Sequence, residues 1–558
     1  MKMFAWFGKK LQHLCSVLCG QLTLSTKSLF FLAACLCRFL LQQTNPLLVQ
    51  IIYFFSLSSI GFGFLKIFKP RTSSPSFTPR NLDLFFTSVS SATVSSMSTV
   101  EMEVFSNPQL ITITILMFVG GEVFTSMVGL HFIRSRLKTE LDKIAASHAR
   151  LSTTQPIIVD DQIELGSISK SKLDASKPEN DDVDDDGDGE AIVSVYDETL
   201  HSSFGATSEN LRYLSMKHLG FVILSYFVVV HVIGVLGVSL YIEVISSAKM
   251  VLKNKGLNRF TFSVFTVIST FASCGFVPTN ENMVVFRKNS GMLLMLVPQV
   301  LLGNTLYPSC LRFCVWLLGK FNYKKRETRY LLKKTEEVGY KHLLSREYSI
   351  FLVATVFGFI VVQIVVFCSM DWNSQGLVGM NVYEKFVGVL FQSVNSRHSG
   401  ETIVDLSILS SAILVLFVVM MYLPPYTSFL PLKDHEKDSE IRKRKGKLME
   451  NLIFSQLSYL VIFVILVCIT ERKNLKEDPL NFNVLNIVIE VISAYGNVGF
   501  STGYSCKRQL HPEPNCEDKW FGFVGKWSDE GKIILILVMF FGRLKKFNMN
   551  GGKAWKLL

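Results

Sequence analysis

No GxxxxGK phosphate loop occurs in the 558 residues, which argues against ATP-driven pumping. No soluble nucleotide-binding domain is attached. The 11 cysteines show no zinc spacing. Most lie in or beside apolar runs, where a small buried thiol is the plain reading. The 10 histidines are scattered, so no cluster of nucleophile, base or metal ligands forms within the apolar segments, and an enzyme is not expected. The alternating ten-residue segments of a transmembrane β-barrel are missing too.

What the chain has instead is apolar length. It is 49% hydrophobic with a mean hydropathy of +0.34, above what a soluble protein of this size carries. Runs near 20 residues recur, each able to cross about 30 Å of hydrocarbon as a helix. Eight spans are expected, at 47–68, 110–133, 218–245, 291–318, 348–369, 403–423, 453–470 and 529–550. The run LFFLAACLCRFLL (29–41) is too short and is interrupted by Arg38, so it reads as an interfacial or cytosolic helix and a poor signal peptide. The chain is an all-α polytopic membrane protein.

The net charge of +12 is placed rather than spread. KKRETRYLLKK (324–334) follows the fourth span, IRKRKGK (441–447) the sixth, and Arg543, Lys545, Lys546 and Lys553 close the chain. With an even number of spans these share one side, which the positive-inside rule makes the cytosol. KPRTSSPSFTPR (69–80) is the exception.

The spans pair, and between the members of each pair lies a more polar segment: FTSVSSATVSSMSTVE (86–101), FTVISTFASCGFVPTN (265–280), LFQSVNSRHSGETIVD (390–405) and IEVISAYGNVGFSTGY (489–504). One column of the alignment holds Ser96, Gly275, Gly400 and Gly499. Six residues earlier stand Ser90, Ser269 and Ser493. The chain is thus four copies of helix, half-helix with loop, and helix. The units are repeat A (47–133), repeat B (218–318), repeat C (348–423) and repeat D (453–550). Segments 1–46, 134–217, 319–347, 424–452 and 551–558 are the cytosolic ends and linkers. Irregular backbone at membrane depth persists only where protein buries it or it lines water. Four such loops around one axis offer a ring of carbonyls that can replace the hydration shell of a small cation. Glycine in that column supplies backbone angles closed to other residues.

The motifs TVSSMSTVEMEVF, ASCGF, NSRHSGE and SAYGNVGFSTGYSC together resemble the plant high-affinity potassium transporter (HKT) family of the Trk/Ktr cation transporters. The match runs from about residue 47 to the end. The resemblance implies a single-chain pseudo-tetramer around one pore, with a filter of Ser95, Ser96 and Met97, Cys274, Gly275 and Phe276, Ser399, Gly400 and Glu401, and Val498, Gly499 and Phe500. Sodium would be held by the backbone at Ser96, Gly275, Gly400 and Gly499, and no cofactor is expected. Serine in the first filter position looks like the sodium-preferring branch. A plasma-membrane homodimer in a plant cell is also implied.

Several charged residues carry expectations of their own. Glu101, Glu103 and Glu401 either attract cations at the outer mouth or brace the loops. Arg397, beside His398, is expected to be tied to a nearby acid. Arg543 matches the family's basic residue in the last helix, a barrier or a brace near the pore. Lys545 and Lys546 are expected to snorkel. Cys506 and Cys516 flank an external polar segment and form a candidate disulfide. The helix at 402–426 contains no glycine, which counts against the gating loop that relatives carry there, and Pro424-Pro425 would end it. The acidic linker at 137–215 is expected to be disordered. Its DDDGDGE (184–190) fails as a calcium loop, because Val195 stands where the last ligand should be.

Overall fold

The computed structural model describes residues 46–71, 79–153, 190–397, 399–427, 456–511, 514, 516, 518–519 and 522–548. These are almost wholly helical. Among them the β pairing is one isolated bridge between Tyr504 and Lys519. The chain divides into two compact units. One holds residues up to 125, 229–307 and 347 onward, and the other holds 126–228 and 308–346.

The first unit contains all four polar loops. Each repeat begins with a first helix: Pro46–Ile67, the end of Glu190–Val244, Arg346–Asp371 and Gln456–Thr470. Each continues with a half-helix: Asn81–Ala92, Arg259–Ala272, Val382–Asn395 and Val484–Gly496. Each then has a second helix: Asn107–Gly120, Ser290–Gly303, Ser411–Tyr422 and Asp529–Asn548.

Short-range chemistry starts and stops these pieces. Half-helix B is capped by Asn258, which accepts from the Thr261 amide at 3.1 Å. Half-helix C opens with a capping box of Asn381 and Glu384, and half-helix D with Asn483 on the Asn486 amide at 2.8 Å. Such caps satisfy donors that a helix start leaves orphaned. Half-helices B and D end at Ser273 and Asn497, both left-handed, which turns the chain out of the helix.

The helices pack as a chain of neighbours. Half-helix A lies against second helix A, which touches half-helix B; that pattern runs on through second helix B to half-helix C. Second helix C meets half-helix D, half-helix D meets second helix D, and second helix D returns to half-helix A. The closing step includes an ion pair between Lys532 Nζ and Asp83 Oδ1 at 2.9 Å, with Lys532 only 1% exposed. Large apolar residues such as Ile111, Ile115, Ile233, Leu236 and Leu240 remain exposed, as lipid-facing surfaces require.

Each of the eight predicted spans contains a helix. Three are long and apolar enough to cross a membrane alone: Leu48–Ile67, Glu209–Val244 and Arg346–Asp371. Two more qualify if broken pairs count as single spans, Asn107–Gly120 with Glu122–Ala146 and Ser290–Gly303 with Tyr307–Lys320. The predicted unbroken spans at 110–133 and 291–318 are therefore corrected. The sixth is corrected too. Its helix begins at Ser411 rather than 403, where Asp371 Oδ2 accepts from the Ser410 amide at 2.9 Å. It ends at Tyr422, just before Pro424-Pro425.

In the second unit, helix Tyr307–Lys320 is tied to backbone further along the chain. Arg312 donates to the Leu344 carbonyl at 2.8 Å and the Leu332 carbonyl at 3.3 Å. The Ser126 and Tyr340 hydroxyls bond at 2.9 Å. The linker expected to be disordered is helical at both ends, through Thr153 and again from Glu190. Extending an existing helix costs far less than nucleating one, so polar sequence can continue it. Residues 29–41 and 184–189 lie outside the described residues.

Candidate selectivity filter

The column residues meet one another. A Cβ placed on Gly275 would lie 2.3 Å from the Gly400 nitrogen, and one on Gly400 would lie 2.5 Å from the Val498 carbonyl oxygen. A Cβ on Gly499 would lie 2.2 Å from the Ser96 Cβ. Neighbouring backbones thus approach too closely for side chains. Glycine is needed here for space as well as for angle. Gly275 and Gly499 have φ of +91° and +98°, and Ser96 adopts +53°, where non-glycine residues are strained. Gly400 does not share this region, so repeat C turns its loop differently.

At the earlier serine column the backbone makes the shared contact. The carbonyls of Ser90, Ser269 and Ser493 accept from the amides of Ser95, Cys274 and Val498 at 2.8, 2.9 and 2.9 Å. In repeat D the Ser493 hydroxyl also accepts from the Gly499 amide at 2.9 Å. Repeat C has no such serine. There the Ser399 amide reaches the Asn395 carbonyl at 3.2 Å.

Side chains stitch adjacent loops together. Asn497 Nδ2 donates to the Ser95 hydroxyl at 2.8 Å, which joins repeats D and A. Asn282 Nδ2 donates to the Gly400 carbonyl at 3.2 Å, and its Oδ1 accepts from the Thr402 amide at 3.2 Å. Thr270 of half-helix B bonds the Glu401 carboxylate. Met97, Phe276, Val498 and Phe500 are buried in the cores behind the loops, with Phe500 5.4 Å from Phe417 between ring centroids. Ser399 is fully buried.

The predicted charged residues are less exposed than expected. Glu401 is 0% exposed and braces the loop from behind. Glu103 is paired. Its carboxylate accepts from Lys255 Nζ and from the Asn280 amide at 3.0 Å, while Lys255 also reaches Glu281 at 2.6 Å. Burial opposes the Lys255 charge, yet the two carboxylates outweigh it and hold its pKa above the ordinary lysine value. Glu101 is half-buried beside the turn Met102–Val104.

Among the described residues, Arg397 is tied to no acid. Its Nη2 donates to the Pro424 and Pro425 carbonyls at 2.7 and 3.3 Å, and the guanidinium lies 4.9 Å over the Phe359 ring. An arginine fork needs acceptors, and backbone carbonyls freed by two prolines supply them. His398 lies outside the described residues.

Arg543, fully buried, donates to the Gly120 carbonyl at 2.5 Å and sits 5.5 Å over the Phe54 ring. Those contacts tie the last helix to the end of second helix A and to the first helix of repeat A. Lys545 does not snorkel. It donates to the Tyr495 hydroxyl at 2.8 Å, since half-helix D ends within its reach. The Lys546 side chain lies outside the described residues. Cys506 and Cys516 form a disulfide with Cα atoms 5.9 Å apart.

Sequence reading missed Lys532, Asp83, Lys255, Asn282 and Asn497. Lys532 carried a signal, being a charge inside an apolar run. Asn497 and Asn282 carried none, because their partners lie hundreds of residues or another repeat away.

A family model described as a cation transport protein, TrkH, matches residues 201–549. Curated relatives match nearly the whole chain. The "Cation transporter HKT1;3" of Oryza sativa is 50% identical over 93% of this chain and 92% of its own length. The "Sodium transporter HKT1" of Arabidopsis thaliana is 49% identical over 88% of this chain and 91% of its own. The "Cation transporter HKT1;1" of Oryza sativa is 43% identical over 97% and 94%. These relatives are transporters and not enzymes, and the chain belongs to the plant HKT family of TrkH-type cation transport proteins.

Proposed function

We propose that the chain is a passive, channel-like pathway for sodium across the plasma membrane. The observation that carries this reading is the meeting of four matching loops at Ser96, Gly275, Gly400 and Gly499. Each follows a half-helix whose C-terminal end carries partial negative charge. Backbone carbonyls in such a ring replace water around a cation. Ser96 breaks the fourfold pattern by placing a side chain against Gly499. That distortion costs a large ion, which must shed its water and use every ligand, more than a small ion that keeps some water. The sodium transporter among the relatives supports the choice of ion. A homodimeric assembly belongs to the same reading.

The competing reading is a potassium-permeable or sodium–potassium coupled transporter. With each repeat read as two membrane crossings around its half-helix, successive units keep one orientation. This favours a pore over the inverted repeats of many coupled carriers.

Voltage clamp of cells expressing the chain, with external sodium exchanged for potassium, tests the proposal. The reversal potential is expected to follow sodium in the wild type and to begin following potassium in Ser96→Gly. A wild type that follows both ions equally removes the sodium assignment. Current that moves sodium against its electrochemical gradient removes the passive pathway.

A further inference from the structure

A second set of glycines stands behind the loops. Gly120 ends second helix A, Gly303 ends second helix B, and Gly542 lies within second helix D. A Cβ on Gly120 would lie 2.1 Å from the Ala92 carbonyl oxygen, one on Gly303 1.9 Å from that of Phe271, and one on Gly542 2.0 Å from that of Tyr495. The three carbonyls occupy one register. Each belongs to the residue four before the filter column (96 − 92, 275 − 271 and 499 − 495). They are carbonyls at the ends of half-helices, where the helix supplies no donor. A glycine Cα–H aimed at each is a weak but repeated contact.

Repeat C departs from this pattern. Its second helix, Ser411–Tyr422, has no glycine. The residue in the same register is Ser396, whose hydroxyl bonds Gln363 at 2.5 Å and the Ser393 carbonyl at 2.9 Å. The adjacent Arg397 reaches out to the Pro424 carbonyl at 2.7 Å. A long side chain spans the gap that the other three repeats close by direct backbone approach.

We propose that Gly120, Gly303 and Gly542 are positioning residues for ion selectivity. Each fixes how deeply a second helix supports the end of its half-helix, and so where the filter backbone four residues later stands. The role rests on the proposed filter. The contact is with backbone, which no rotamer change can relieve. Real Cβ atoms essentially never come within 3.0 Å of such a neighbour, so an added methyl displaces the half-helix end by about 1 Å in a close-packed interior.

The test uses Gly303→Ala and Gly542→Ala, with Gly358→Ala as the control, since a Cβ at Gly358 meets nothing within 4 Å. Surface labelling reports the amount of protein, and voltage clamp reports the sodium-over-potassium permeability ratio. The two variants are expected to lower that ratio by about tenfold, as ligand misplacement of this size does, while the control keeps it. Simple loosening of the fold would lower the surface amount and leave the ratio alone. Variants at the surface with the wild-type ratio overturn the proposal. If neither variant reaches the surface, purified protein is melted in sodium and in choline chloride. Sodium is then expected to raise the melting temperature of the wild type and the control but not of Gly303→Ala. A full sodium-dependent rise in Gly303→Ala is equally fatal. A wild type that does not discriminate sodium sinks the sodium assignment on which the role rests, whereas a discriminating wild type with unchanged variants sinks only the role of the glycines.

Discussion

Gly499 and Ser96 should behave as one unit. A methyl on Gly499 would meet the Ser96 Cβ at 2.2 Å, the Ser96 Oγ at 2.8 Å and the Ser95 carbonyl oxygen at 3.0 Å. It would also sit at φ +98°. Overpacking of this kind costs about 1–3 kcal/mol, and a side chain in the left-handed half of the map adds roughly 1–2 kcal/mol. Ser96→Gly deletes the first two clashes and leaves the third, together with the φ strain. Coupling between contacting residues runs about 0.5–3 kcal/mol, so the double variant should recover part of what Gly499→Ala loses. By itself Ser96→Gly is nearly neutral for folding. It relieves serine at φ +53°, while the added freedom of an unfolded glycine offsets about 0.4–1 kcal/mol. The assay is sodium conductance per surface-labelled protein across wild type, both single variants and the double. Conductance in the double should exceed that of Gly499→Ala. A double variant no better than Gly499→Ala would refute the contact between repeats D and A as the cause.

Two further outcomes concern charges. Lys532→Ala leaves the buried Asp83 with Arg80 alone, an exposed partner at 3.3 Å, so the loss should stay below the about 3–5 kcal/mol of an unpaired buried charge; the double variant Lys532→Met with Asp83→Leu should restore much of the thermal stability, and no restoration would count against the pair. Lys255 titrates above the ordinary lysine value, so its link to Glu103 and Glu281 is intact below about pH 10 and is lost as pH rises through the raised pKa. The difference in melting temperature between wild type and Lys255→Gln should therefore hold steady from neutral pH upward and shrink only in the alkaline range. A difference that already shrinks near neutrality would contradict the bridge.

The sequence by itself determined the class of molecule and the repeat. Apolar runs must be helices in lipid, because no other open structure satisfies its backbone there. The polar dips and their aligned Ser96, Gly275, Gly400 and Gly499 were legible as local pattern. The serine column was legible too, but the bond to the amide five residues on is made by its backbone carbonyl, which any residue carries.

Tertiary structure decided what the charges do. Glu103 and Glu401 look alike in sequence, as acids after a filter motif. Whether such an acid faces ions or braces a loop depends on Lys255 and Thr270, which come from other segments. Arg397 found carbonyls rather than an acid because Pro424 and Pro425 fold back to it. Helix breaks at Gly121 and Asn304 fall inside apolar runs, where hydropathy gives no boundary. The glycines at 120, 303 and 542 read as ordinary helix residues until the half-helix carbonyls are brought against them. Periodicity reports which face of a segment is apolar. Which distant backbone it touches is set only when four repeats close on one another.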